Sequence, residues 1–344
     1  MLHRFFRERK TTKMAIAFNI IITIFGFFLL IKGADYFVVS SASLAKKFKI
    51  SPLIIGLTLV AFGTSLPEFA VTFAASLSAR AAGTTADIAL GNIVGSDIAN
   101  LTLILGFSAI MMPIAVKKSM RKQEFPFLIA LTILFAAVAY FFQSDKLIVW
   151  WEALILLAFF SFYMFLMFKS HRSVDLDEEI HFVDTKKAVF LLILGLGGVS
   201  LGGYLVTSGA EYIAIELLVQ SFSMTATRAT TLVGLSIVSL GTSLPELVTS
   251  IVAAKKGENE IALGNVVGSN VFNTLLIVGL SGIVTPLGVN GDVLVDMLIL
   301  IGITLVTIFF CFTGSKISKL EGWLLLGIYF TYITFIIIRA LGLL

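Results

Sequence analysis

The chain alternates between long apolar runs and short polar interruptions. Apolar runs lie near 15–42, 52–79, 86–113, 124–142, 147–168, 187–218, 226–254, 259–286, 292–312 and 320–342. About 20 such residues cross the hydrocarbon core as a helix. The runs are continuous rather than alternating, which excludes a β-barrel. The pattern predicts an all-α polytopic membrane protein with ten transmembrane helices. One interruption is longer: 169–186 carries Asp175, Asp177, Glu178, Glu179 and Asp184. It is expected to be a linker, too short for a regulatory domain. It separates a first five-helix unit, 15–168, from a second, 187–344, and a basic tail, 1–14, precedes both.

The two units repeat. Gly33-Ala34-Asp35-Tyr36 returns as Gly209-Ala210-Glu211-Tyr212. Gly63-Thr64-Ser65-Leu66-Pro67-Glu68 returns unchanged at Gly241 to Glu246. The segment from Gly91 to Asn100 returns from Gly264 to Asn273, with offsets of 176, 178 and 173 for the three matches. An odd number of spans per unit makes the second enter the membrane upside down. The architecture expected is therefore two inverted five-helix repeats, the plan of many secondary transporters.

Composition narrows the class. Of 344 residues 58% are hydrophobic and 13% charged, against about 25% charged in soluble domains; mean hydropathy is +1.01. A soluble, disordered or nucleic-acid-binding protein is excluded. The net charge of +4 reflects Lys and Arg gathered in loops, where they orient the chain. Loops on the linker side hold 15 of them and the opposite side 9, which predicts a cytoplasmic linker and outward termini in the cell (inner) membrane. The tail residues Arg4, Arg7, Arg9, Lys10 and Lys13 run against that rule, which a native start at Met14 would resolve; whether residues 1–13 belong to the native chain is left open. The single cysteine, Cys311, cannot form an intrachain disulfide, and His3, His171 and His181 lie in polar segments. No cofactor, enzymatic centre or obligate protein partner is expected.

The repeated motifs carry the chemistry. Thr64, Ser65 and Glu68 project from one sector of a helix. Pro67 disrupts its backbone, and carbonyls freed at that depth must line a cavity or meet an ion. A glutamate amid an apolar span reads as functional, and Thr242, Ser243 and Glu246 repeat the arrangement. Asn92, Ser96 and Asn100 form a second stripe, matched by Asn265, Ser269 and Asn273. Ser96, Asn100, Ser269 and Asn273 are candidate ligands. The first Asn of each stripe is open between ion contact and helix-to-helix hydrogen bonding. Gly91, Gly95, Gly264 and Gly268 are small residues suited to close packing. Neutral oxygens with two carboxylates and no nitrogen or thiolate suit Ca²⁺ and Na⁺, and argue against zinc or copper. Asp35 and Glu211 are open between gating and salt bridging at the membrane interface.

These motifs resemble the alpha-repeats of the sodium/calcium exchanger family within the cation/calcium antiporter superfamily, and the chain is similar to its minimal prokaryotic type. The resemblance implies ion ligation by Thr64, Ser65, Glu68, Ser96, Asn100, Thr242, Ser243, Glu246, Ser269 and Asn273. It adds the backbone carbonyls of Ala61 and Ser239 at matching positions. It also implies that the first and sixth helices slide over the other eight. Asp97 stands where an Asn is usual and is expected off the ion-facing side. Many relatives carry Asp where Asn273 stands, so potassium co-transport is not expected. The function implied is alternating-access exchange of Na⁺ for Ca²⁺ within the bilayer. The alternatives are a proton-coupled divalent exchanger, because protons compete for the same carboxylates, and a cation channel.

Overall fold

The computed structural model describes residues 2–141, 147–170, 185–221 and 239–340. Helix α1 spans Leu2–Lys47. Helix α2 runs through Pro52–Ile55, a π segment Gly56–Val60 and Ala61–Thr64, then resumes after Ser65 as Leu66–Ala82. Helix α3 comprises Asp87–Ala99, a π segment Asn100–Ile104 and Leu105–Met111. Helix α4 opens with a π segment Met120–Glu124 before Phe125–Phe141, and α5 is Trp150–Ser170. In the second unit α6 is Thr185–Ser221, and α7 is Ser239–Thr242 followed after Ser243 by Leu244–Lys255. Helix α8 comprises Asn259–Val271, Phe272–Ile277 in π geometry and Val278–Val284; α9 is Gly291–Thr313 and α10 Lys319–Ala340.

Ten helices follow in the order the hydropathy predicts. Among the described residues eight are long and apolar enough to span a bilayer, and the bent α2 makes a ninth. The part of the seventh span expected at 226–238 lies outside the described residues, as do linker residues 171–184. The tail differs from expectation: α1 is helical from Leu2, so residue 14 marks no break in the backbone.

Four two-residue strands, which no sequence period could announce, cap the bundle. They are β1 (Ile114–Ala115), β2 (Leu147–Ile148), β3 (Leu287–Gly288) and β4 (Lys316–Ile317). Strand β1 pairs with β4, and β2 with β3, all antiparallel. Strands β1 and β3 follow equivalent helices of the two units, as do β2 and β4. A unit inserted in the same sense as its mate would bring β1 to β3. The crossed pairing therefore requires inversion.

Burial sorts the helices into a centre and a rim. In the spanning windows of α3 and α8, 83% of residues are buried, against 11% in α1. A helix buried on all sides must let neighbours approach closely, and glycine permits this. A Cβ at Gly264 would lie 2.9 Å from Gly56 Cα, and one at Gly268 2.7 Å from the Leu57 carbonyl oxygen. Packing thus accounts for these two glycines. At Gly91, among the described residues, nothing lies within 4 Å.

On the rim α1 and α6 pack antiparallel, backbone against backbone. A Cβ at Gly33 would meet Val199 N at 2.6 Å, at Gly195 Phe37 N at 2.6 Å, and at Gly202 Leu30 N at 2.5 Å. As α1 is followed forward, α6 is met backward. Helix α1 also carries an exposed ion pair between Asp35 and Lys256, 2.7 Å apart, which is the contact the structure shows for Asp35.

These contacts make a prediction. Gly202→Val should destabilise the detergent-solubilised protein by about 1–3 kcal/mol, the usual cost of overpacking, read as a lowered unfolding midpoint. Gly197→Ala, with nothing within 4 Å, should leave the midpoint unchanged or raise it. Equal effects from the two would contradict the α1–α6 contact.

Candidate ion-binding site

Both motif helices break at the same place. Ser65 has φ −80° and ψ 6°, and Ser243 has φ −88° and ψ 4°, each followed by Leu-Pro at the start of the next helical segment. Proline cannot donate its missing N–H and crowds the preceding turn, so the helix restarts there. The bend in α2 is 49°. Each break puts a helix C-terminus, with its carbonyls, beside the N-terminus of the following segment. Glu68 and Glu246 sit in the first turns of those segments, where the helix dipole favours negative charge.

The two carboxylates are 1% exposed, and their hydrogen bonds cross between the repeats. Ser65 Oγ donates to Glu246 Oε1 at 2.9 Å, and Ser243 Oγ lies 3.1 Å from Glu68 Oε1. Ser243 Oγ is also 3.4 Å from Ser96 Oγ. Thr242 likewise approaches Glu68 and Thr64 approaches Glu246 across the repeats, while Ser269 approaches the Glu246 of its own repeat. Each unit's serine therefore serves the other unit's glutamate. None of the ion pairs among the described residues involves either carboxylate.

Five oxygens of this region are buried and make no hydrogen bond of good geometry: Glu68 Oε2, Glu246 Oε2, Asn100 Oδ1, Asn273 Oδ1 and Ser269 Oγ, which approaches Glu246 without bonding it. Leaving one buried acceptor unsatisfied costs about 1–3 kcal/mol, more for a charged group. All five belong to side chains picked out by the repeated motifs. They are hard oxygen donors, suited to a hard cation of variable coordination number.

The remaining expected ligands are placed as follows. Asn100 opens the π segment of α3, and Asn273 is the second residue of that of α8; such wide turns are frequent at functional sites. The Ala61 carbonyl accepts the Ser65 N–H at 3.0 Å, and Thr64 Oγ1 is 3.2 Å from it. Ser239 is the first described residue of α7, and its side chain is outside the description. Asn92 and Asn265 hydrogen-bond between helices. Asn92 Nδ2 donates to Thr72 Oγ1 at 3.1 Å, and Asn265 Nδ2 to Ser250 Oγ at 2.9 Å. Thr64 Oγ1 donates to Asn265 Oδ1 at 2.9 Å.

Sequence reasoning missed Thr72 and Ser250 as partners of those amides. The signal was present: each lies four residues after its glutamate, at the same offset as the motif. Asp97, buried at 1% exposure, accepts hydrogen bonds from Asn273 Nδ2 and Thr274 Oγ1.

The sequence profile described as sodium/calcium exchanger protein matches residues 18–169 and 187–338. Sodium/calcium exchanger MaX1 of Methanosarcina acetivorans is 32% identical, over 92% of this chain and 98% of its own. Inner membrane protein YrbG of Escherichia coli is 31% identical, over 76% of this chain and 79% of its own. The structure of the sodium-calcium exchanger NCX_Mj soaked with Na⁺ and Sr²⁺ superposes with a TM-score of 0.76 at 30% identity. It covers 93% of this chain and 98% of that one.

The crossed bonds lead to a symmetric expectation. Ser65→Ala and Ser243→Ala each strip one carboxylate oxygen of its donor, and a hydrogen bond to a charged group is worth about 1.5–3 kcal/mol. Each should weaken Ca²⁺ binding about 10- to 100-fold in calorimetric titration. A loss confined to one of the two would contradict equivalent roles for the repeats.

Proposed function

The chain belongs to the sodium/calcium exchanger family, and from that premise we propose that it exchanges Na⁺ for Ca²⁺ by alternating access. It is a membrane transporter, a cation/calcium antiporter built from inverted repeats. The observation that carries the finer reading is the pair of buried glutamates, each held by the other repeat's serine and each with one unpartnered oxygen. Thr64, Ser65, Glu68, Ser96 and Asn100, with Thr242, Ser243, Glu246, Ser269 and Asn273, form the proposed ligand set. The carbonyls of Ala61 and Ser239 complete it.

The charge of that set explains obligatory exchange. Two carboxylates neutralise one Ca²⁺ or two Na⁺. An empty site would carry two uncompensated charges through a closed state in a low dielectric, which is prohibitively costly. Cations of one kind must therefore replace the other before the site changes sides. Na⁺ moving inward down its gradient then drives Ca²⁺ outward. The concentration of Lys and Arg on the linker side supports placing that side in the cytoplasm of a cell-membrane protein.

Two experiments test this. In proteoliposomes, Ca²⁺ uptake should require an outward Na⁺ gradient, and Glu68→Gln or Glu246→Gln should abolish it at matched, folded expression. Uptake indifferent to Na⁺ but driven by a pH gradient would replace sodium coupling with proton coupling. Uptake without saturable counterflow would indicate a channel. Near-normal flux in either glutamine variant would remove the site assignment.

The second concerns voltage. The site offers more oxygens than one Ca²⁺ can use, so three Na⁺ are expected per Ca²⁺, moving one net charge per cycle. A full charge crossing 100 mV is worth about 2.3 kcal/mol. Charge on Asp97 is common to both loaded forms and does not alter that net movement. Uptake clamped at different potentials with a potassium ionophore should vary in rate and endpoint; indifference to potential would refute a three-for-one exchange.

A further inference from the structure

The last ligand of each stripe is oriented by a different device in each repeat. Asn100 Nδ2 donates to Asn270 Oδ1 at 2.8 Å, and Asn270 Nδ2 lies 3.4 Å from the Asp97 backbone carbonyl. Asn273 Nδ2 donates to Asp97 Oδ1 at 2.9 Å, while Asp97 Oδ2 accepts from the Thr274 hydroxyl at 2.9 Å. Asp97 and Asn270 are equivalent positions of the repeat. In both halves the amide nitrogen is tethered and the amide oxygen, Asn100 Oδ1 or Asn273 Oδ1, is left without a partner.

The two devices are not chemically equal. A side-chain amide can turn either its oxygen or its nitrogen toward a neighbour, whereas both atoms of a carboxylate head are oxygens. With Oδ2 taken by Thr274, Oδ1 meets only the nitrogen end of Asn273. The oxygen end must then point away from Asp97. We propose that Asp97 is a positioning residue of the cation site, fixing the Asn273 amide so that its oxygen is presented to the ion. This rests on Asn273 being a ligand, as in the proposed function. It also gives a reason for a buried carboxylate with no cationic partner among the described residues: its two oxygens are satisfied by the groups it orients.

The test reads the Ca²⁺ concentration for half-maximal exchange, and separately the maximal rate, in proteoliposomes. Outer hydrogen-bond partners of metal ligands are typically worth 10- to 100-fold in affinity. Asp97→Ala should raise the half-maximal concentration by about tenfold or more with a smaller effect on maximal rate. Asp97→Asn keeps an acceptor beside Asn273 and should raise it less than Asp97→Ala does. Asn273→Asp sets one carboxylate against another and should impair exchange severely. Combining it with Asp97→Asn supplies an amide donor at position 97, so the double variant should recover affinity. A residue that only fills space would show no such rescue.

An unchanged half-maximal concentration in Asp97→Ala would overturn the inference. So would a double variant no better than Asn273→Asp alone, which decides the matter even if Asp97→Ala fails to fold. Absence of saturable exchange in the unmodified protein would overturn the ion-site reading itself.

Discussion

The structure is organised around two carboxylates that have, among the described residues, no cationic side chain paired with them. Glu68 and Glu246 are buried, and removing such groups from water costs several kcal/mol each unless donors or a counter-ion compensate. The donors come from the opposite repeat: Ser243 for Glu68 and Ser65 for Glu246. Each glutamate therefore depends on a serine of the other five-helix unit. Docking of the units and formation of the site are one event. What the serines leave unsatisfied is an array of hard oxygens of the kind that suits a cation.

The surrounding architecture serves that constraint. The breaks at Ser65 and Ser243 bring helix ends to the centre of the bundle, where a continuous helix would present only side chains. Close approach of α2 to α8 at Gly56, Gly264 and Gly268 lets Thr64 reach Asn265 across the interface. The antiparallel strand pairs tie the loops of opposite repeats at both ends of the bundle. Against this cross-linked centre, α1 and α6 pack mostly on each other through glycines. A helix pair joined by small residues can move as a unit with few hydrogen bonds to break, which suits the sliding role the family resemblance implies for it.

The repeats are equivalent in backbone but not in detail. Asp97 stands opposite Asn270, and a Cβ at Gly63 would meet the ring of Phe37 and the side chain of Leu196, while one at Gly241 would meet Thr207. Identical hexapeptides therefore sit in unlike surroundings. The ion would meet matched ligands whose supports differ, so the two sides of the site are chemically distinguishable.

The sequence by itself determined the order of apolar helices, the inverted repeat and which side chains are candidates for the site. Helical periodicity fixes which side chains share a face, so Thr64, Ser65 and Glu68, or Asn92, Ser96 and Asn100, are legible as groups wherever their helix lies. Proline placement made a disruption in α2 and α7 legible too, although not its location at the serines. Only the tertiary structure decided what those groups meet. That Ser65 serves Glu246 rather than Glu68, that Asn92 and Asn265 bind Thr72 and Ser250, and that Asp97 holds Asn273 all depend on how helices are rotated and offset against one another. That register is set by contacts between small residues distant in the chain, such as Gly56 with Gly264. A periodic pattern within one helix carries no information about it.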